Sequence, residues 1–240
     1  MTITDHNTVG EIVAQDYRTA AVFQSFDIDF CCKGNHTLRE ACENKHLDVD
    51  VMLADLEHVM HQKDDSTPDF QSWPLDLLAD YIEKTHHRYV EKTIPVLKQY
   101  LVKVCKVHGK RYPELYEIAD QFNAAAAELT SHMKKEELIL FPYIRTLVQA
   151  RFHEQFLQRP PFGTIQHPIT MMMQEHDVEG ERFRKIAMLS GSYTPPPDAC
   201  TTFTVTYSTL KQFEGDLHRH IHLENNILFP NAIALEATFA

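Results

Sequence analysis

Between residues 75 and 105 the apolar positions Leu77, Leu78, Tyr81, Ile82, Val90, Ile94, Leu97, Leu101 and Val104 follow the three- and four-residue spacing of one helix face. Pro95 lies inside this stretch and is expected to kink it, because it lacks an N–H and its ring crowds the preceding turn. The breaks HGKRYP, RPPFGTIQHP and SGSYTPPP set off three more long helical segments, at 114–150, 168–190 and about 198–235. Four long helices with short connections predict an antiparallel bundle. The periods before it are shorter. Thr8 with Glu11, and Thr37 with Glu40, are spaced as capping boxes opening helices through EIVAQDYRTAAVFQSF and LREACEN. VDVMLADLEHVM adds a third apolar pattern. The fold class is therefore all-α: a small N-terminal helical domain over 1–62, a linker at 63–74 carrying Pro68 and Pro74, and a four-helix bundle over 75–240.

Composition narrows this further. The net charge of -11 disfavours nucleic acid, whose binding rests on Lys and Arg meeting phosphates. No apolar run approaches the roughly 20 residues needed to cross a bilayer. The start of the chain lacks a basic stretch followed by an apolar one, so a cytoplasmic location away from membranes is expected. Five cysteines, odd in number and unevenly spaced, do not form a disulfide framework. The surplus is in histidine, at 15 residues.

Two segments repeat. SHMKKEELILFP (131–142) and RHIHLENNILFP (219–230) both read His-x-x-x-Glu-x-x-x-Leu-Phe-Pro, and His132 and His220, Glu136 and Glu224, and Pro142 and Pro230 each lie 88 positions apart. This marks a duplicated helix hairpin. Residues i and i+4 share a helix face, so the two copies can bring two imidazoles and two carboxylates to one small volume. A carboxylate can bridge two metals; a neutral imidazole cannot. The order and spacing differ from the Glu-x-x-His pattern of ferritin-like bundles.

The other two helices should each supply a histidine. His87 lies 22 residues before Gly109 in the HGKRYP break and His132 lies 23 after it, so folding there brings them level. His86 is the alternative to His87. His176 precedes His220 by 44 residues, much as His87 precedes His132 by 45. His108 would sit roughly 30 Å from His87 on a straight helix and is left out. His218 and His222 flank His220 and point away from it. Glu128, Asp216 and Glu175 are candidates to orient the imidazoles. Imidazole and carboxylate suit iron, manganese or zinc. Four imidazoles, two bridging carboxylates and a bridging oxide or hydroxide would leave about one position open on each of two irons, enough for a small ligand such as dioxygen or nitric oxide.

With these helices the chain resembles a hemerythrin-like bundle, and more closely the di-iron iron–sulfur cluster repair proteins of the repair-of-iron-centres family. The resemblance rests on DFCCKGNHTLREAC (29–42), THHRYVEKTIP, SHMKKEELILFP, QEHDVEGE, TPPPDACTTF and HIHLENNILFP. It implies a metal set of His87, His132, His176, His220, Glu136 and Glu224 on two irons, and it raises His108 again as a recurring family histidine. It also implies a stress protein that restores clusters damaged by nitric oxide or peroxide, with damaged iron–sulfur proteins as partners and a homodimer left open. Cys31 and Cys32 carry the second feature. Adjacent Cα atoms lie about 3.8 Å apart, too close for an unstrained disulfide. Beside Lys33 and ahead of the helix capped by Thr37, a thiolate is expected, suited to catalytic or redox handling of iron or nitrosyl. A linker of about 12 residues spans roughly 20 Å, which would let the thiols move without a fixed interface. Three functions follow: an iron donor for cluster repair, an enzyme reducing nitric oxide at the di-iron site, or a dioxygen or redox sensor without turnover.

Overall fold

The computed structural model describes residues 3–61 and 68–239; residues 63–67 of the expected linker lie outside them. Two short helices replace the single one expected at the N-terminus. α1 (Val9–Gln15) ends at Asp16, whose extended backbone breaks the helix, and α2 (Thr19–Ser25) follows. α3 (Leu38–Lys45) and α4 (Val49–His61) complete this part. Both capping boxes form: Thr8 and Thr37 each accept from the backbone N–H three residues on, and Glu11 and Glu40 reach back to the cap N–H. The two caps lie side by side through an antiparallel bridge between Thr8 and Thr37. Gly10 donates to the carbonyl of Gly34 at 2.7 Å, so the loop that carries the adjacent cysteines runs against α1.

The bundle contains α5 (75–108), α6 (114–152), α7 (Gln166–Leu189) and α8 (201–237). Each packs against its sequence neighbours, and α8 closes the ring on α5, the up-and-down arrangement expected of short connections. Three of the four helices are not α-helical throughout. α5 widens to π-helix at Ile82–His87, α6 at Glu136–Leu140 and α8 at Glu224–Leu228. The last two segments obey the 88-residue repeat. Each is followed by Pro142 or Pro230, which cannot donate to the carbonyl one α-turn back. In α5 the α-helical run continues through Pro95, and the departure from α geometry comes earlier, at the histidines.

Two apolar clusters fill the molecule. One joins Leu97, Leu101, Phe122, Phe183 and Phe213 of the bundle to Val9, Ile12 and Phe23 of the N-terminal helices. The other packs Leu78, Ile82, Phe141, Ile169 and Phe229 at the opposite end. The histidine-bearing turns fall where the clusters meet. The N-terminal helices are thus docked, not free-swinging. Arg184 of α7 donates to Asp29 at 2.7 Å, Asn226 of α8 donates to the Phe30 carbonyl at 3.1 Å, and the Arg219 guanidinium lies over the Tyr17 ring. Among the described residues, no helix is long and apolar enough to cross a membrane.

Candidate metal centre

The six residues singled out by the repeat and its hairpins meet between the four helices. They form two groups, His87, His220, Glu136 and Glu224, and His132, His176, Glu136 and Glu224; within each, one donor atom per residue lies within 4.8 Å of the others. Glu136 and Glu224 belong to both. Glu136 Oε2 faces His87 Nε2 at 3.4 Å while its Oε1 faces His132 Nε2 at 3.3 Å. Glu224 Oε1 faces His220 Nε2 at 3.0 Å and its Oε2 faces His176 Nε2 at 3.2 Å. Two donors about 2.1 Å from one octahedral ion would stand about 3.0 Å apart, so these separations suit cis ligands.

All six side chains are buried, both carboxylates completely. Among the described residues, His87 Nε2, both oxygens of Glu136, Glu224 Oε2 and His220 Nδ1 have no hydrogen-bond partner. A buried polar atom without a partner costs about 1–3 kcal/mol, so this set calls for a cation. His176 Nε2 and His132 Nε2 face each other at 3.0 Å, where at most one proton fits between them. Burial alone would push Glu136 up, but His132 and His87 hold it well below the usual carboxylate range. His132, opposed by burial, is pushed up to about 10, first by Glu136 and then by Glu175 and Glu224. The donor set therefore favours positive charge and fits a metal.

Inside the repeat, the position after each glutamate also serves the centre. Glu137 follows Glu136, and Asn225 follows Glu224. Glu137 Oε1 lies 3.1 Å from His87 Nδ1, and Asn225 Oδ1 lies 2.8 Å from His176 Nδ1; each fixes the ring so that Nε2 points inward. The phenylalanines of Leu-Phe-Pro repeat as well: Phe141 stacks on His87 and Phe229 on His176. Of the three candidate acids, Glu175 does orient an imidazole of the centre, but it is that of His132, whose Nδ1 it holds at 2.7 Å, and not that of its chain neighbour His176. Asp216 holds His86 Nδ1 at 2.9 Å, not His220. His86 is buried and stacked on His220, outside both groups. His108 Nε2 lies 3.1 Å from Cys200 Sγ, also outside both groups. His218 and His222 do point away from the centre, and their rings pack on Phe30.

Cys31 and Cys32 lie against the centre. Their sulfurs are 3.7 Å apart, Cys32 Sγ–H donates to the His176 carbonyl at 3.4 Å, and Asn225 spans from His176 to the Cys31 carbonyl at 3.1 Å. The expected thiolate is not favoured at Cys31: contact with Cys32, burial and the charge of Asp29 push its thiol well up. α3 begins only at Leu38, so its N-terminus is remote from Cys31 in the chain, and Lys33 is exposed.

A four-helix bundle with two imidazole pairs and two shared carboxylates at its middle defines a cation-binding helical protein of the hemerythrin type. The hemerythrin HHE cation-binding domain matches residues 78–232, and the ScdA_N family, described as a domain of unknown function, matches residues 5–60. The iron–sulfur cluster repair protein YtfE of Escherichia coli O81 (strain ED1a) is 36% identical over 228 residues, covering 95% of this chain and 97% of its own. That of Escherichia fergusonii has the same identity and coverage. The chain belongs to the family of iron–sulfur cluster repair proteins with a hemerythrin-like domain.

Proposed function

We propose that this protein holds two iron ions between Glu136 and Glu224 and supplies iron to iron–sulfur clusters damaged by nitrosative or oxidative stress. The observation that carries the reading is the sharing of both carboxylates. Each presents one oxygen to an imidazole of one group and the other oxygen to an imidazole of the second. His87 and His220 would complete one iron position, and His132 and His176 the other. When bound, the irons provide a store of metal and a redox couple. The chain's own contribution is to keep Nε2 of His87, His132 and His176 turned inward through Glu137, Glu175 and Asn225, and to exclude water by full burial. Damaged iron–sulfur proteins as partners, small ligands such as nitric oxide or dioxygen, and a cytoplasmic location belong to the same reading, which takes its substrate from the names of the relatives.

The test is cluster rebuilding. The iron-loaded protein is mixed anaerobically with a cluster-containing dehydratase inactivated by nitric oxide or peroxide, and dehydratase activity is followed. The wild type should restore it, and Glu136→Ala and Glu224→Ala should not. Restoration at the wild-type rate by a variant shown to lack iron would contradict iron supply. Sustained consumption of nitric oxide with a chemical reductant, without rebuilding, would favour an enzyme instead.

A further inference from the structure

Asp29, Cys31 and Cys32 form a separate cluster beside the carboxylate-bridged centre, their ligating atoms within 4.8 Å of one another. The sulfurs are 3.7 Å apart, and two thiolates each about 2.3 Å from one tetrahedral ion would be about 3.8 Å apart. Asp29 Oδ1 supplies the third donor. It accepts the backbone N–H of Cys31 at 3.1 Å and of Cys32 at 2.9 Å, which aims the oxygen at the sulfurs, and it accepts the Cys31 thiol at 3.3 Å. Burial opposes charge on Asp29, but the Cys32 N–H, Arg184 and the Cys31 thiol together hold it below its ordinary value, so the carboxylate is ionised. Arg184 binds the other oxygen at 2.7 Å and offsets the negative charge that two thiolates would add.

We propose that Asp29, Cys31 and Cys32 form a third metal site, which takes one thiophilic divalent ion, Fe(II), as cargo on its way out of the bundle. The inference rests on the reading of the bundle as an iron store. Position supports it. Cys32 Sγ lies on the carbonyl of His176, and Asn225 bonds both to the ring of His176 and to the Cys31 backbone. On the outer side Asp29 and Cys31 line a cleft of about 1150 Å³ between the N-terminal helices and α7 and α8. With two thiolates and one carboxylate as ligands, a fourth would have to come from outside this cluster, and the cleft would give a thiolate of the protein under repair access to it. Binding releases the two thiol protons to solvent, and no electron is transferred.

Cobalt(II) is the probe, because a cobalt–thiolate bond gives a charge-transfer band that imidazole and carboxylate ligands do not. The full-length, iron-loaded protein is titrated anaerobically with cobalt(II), and the iron in the bundle is measured in the same samples. The wild type should take up one further ion with the thiolate band while keeping its iron. Cys31→Ser with Cys32→Ser should abolish the band. Cys32→Ser alone, at a partly exposed position, should weaken binding roughly tenfold or more. Absence of the band in the wild type, or its persistence in the double variant, would overturn the proposal; persistence would place the cobalt at another cysteine, such as Cys200 beside His108. Missing iron in the bundle would contradict the store itself and leave the cobalt result readable.

Discussion

At the scale of single residues, the centre depends on which oxygen faces which nitrogen. Glu136→Ala or Glu224→Ala removes a group shared by both metal positions, so the iron content should fall from about two per chain to one or less, read by metal analysis. His108→Ala should leave the iron spectrum unchanged, because its ring contacts Cys200 and Phe203 outside both groups, while His87→Ala should alter it. Loss of iron in the His108 variant would contradict this. The six residues were legible because both His-x-x-x-Glu copies recur at one offset and the hairpin lengths match. The partners of the outer nitrogens were legible only in part. Glu175 precedes His176 in the chain yet serves His132 across the helix interface, and no spacing rule reaches between helices. Asn225 and Glu137 occupy one repeat position with different chemistry, so no shared residue type marks it.

At the scale of elements, the duplication explains both the likeness of the two halves and where they diverge. Leu138 and Asn226 are equivalent by the 88-residue offset, but Leu138 is 72% exposed whereas Asn226 bonds to Phe30 and His222. The N-terminal helices pack against the second copy, and its two asparagines, with Arg184, bond to the cysteine loop. The helix periods and breaks revealed the four bundle helices. They could not reveal the π-helical segments, which span only five or six residues each and are too short to show a period of their own. The docking was missed for a related reason: a polar linker in the sequence says nothing about the surfaces on either side of it. Gly10 tests that docking. A Cβ there would lie 2.4 Å from Asn226 Oδ1, closer than packed atoms allow. Gly10→Ala should loosen the N-terminal helices by about 1–3 kcal/mol and speed thiol alkylation of Cys31 and Cys32 on the order of tenfold, with bundle iron retained. Unchanged alkylation would mean that the interface does not protect the thiols.

At the scale of the whole molecule, the bundle and the N-terminal helices share one apolar cluster, and their junction leaves a wide cleft lined by Glu214. Burial raises the Glu214 carboxyl from an ordinary 4.5 to about 7, against the opposing pull of Tyr193, Lys211 and Arg184. The folded protein therefore keeps a proton that the unfolded chain releases above pH 4.5, and stability falls as the pH rises towards 7. Glu214→Gln should be close to neutral at pH about 4 and more stable than the wild type at pH about 8, by roughly 1–3 kcal/mol, in thermal melts at both values. An equal effect at both would contradict the buried carboxyl. Two irons sharing two carboxylates are central to the proposed function. Mössbauer spectroscopy with metal analysis, on anaerobically prepared protein, tests this most directly. About two irons per chain, magnetically coupled in the wild type and uncoupled or depleted in Glu136→Ala, are expected. A single iron, or two uncoupled irons in the wild type, would contradict it.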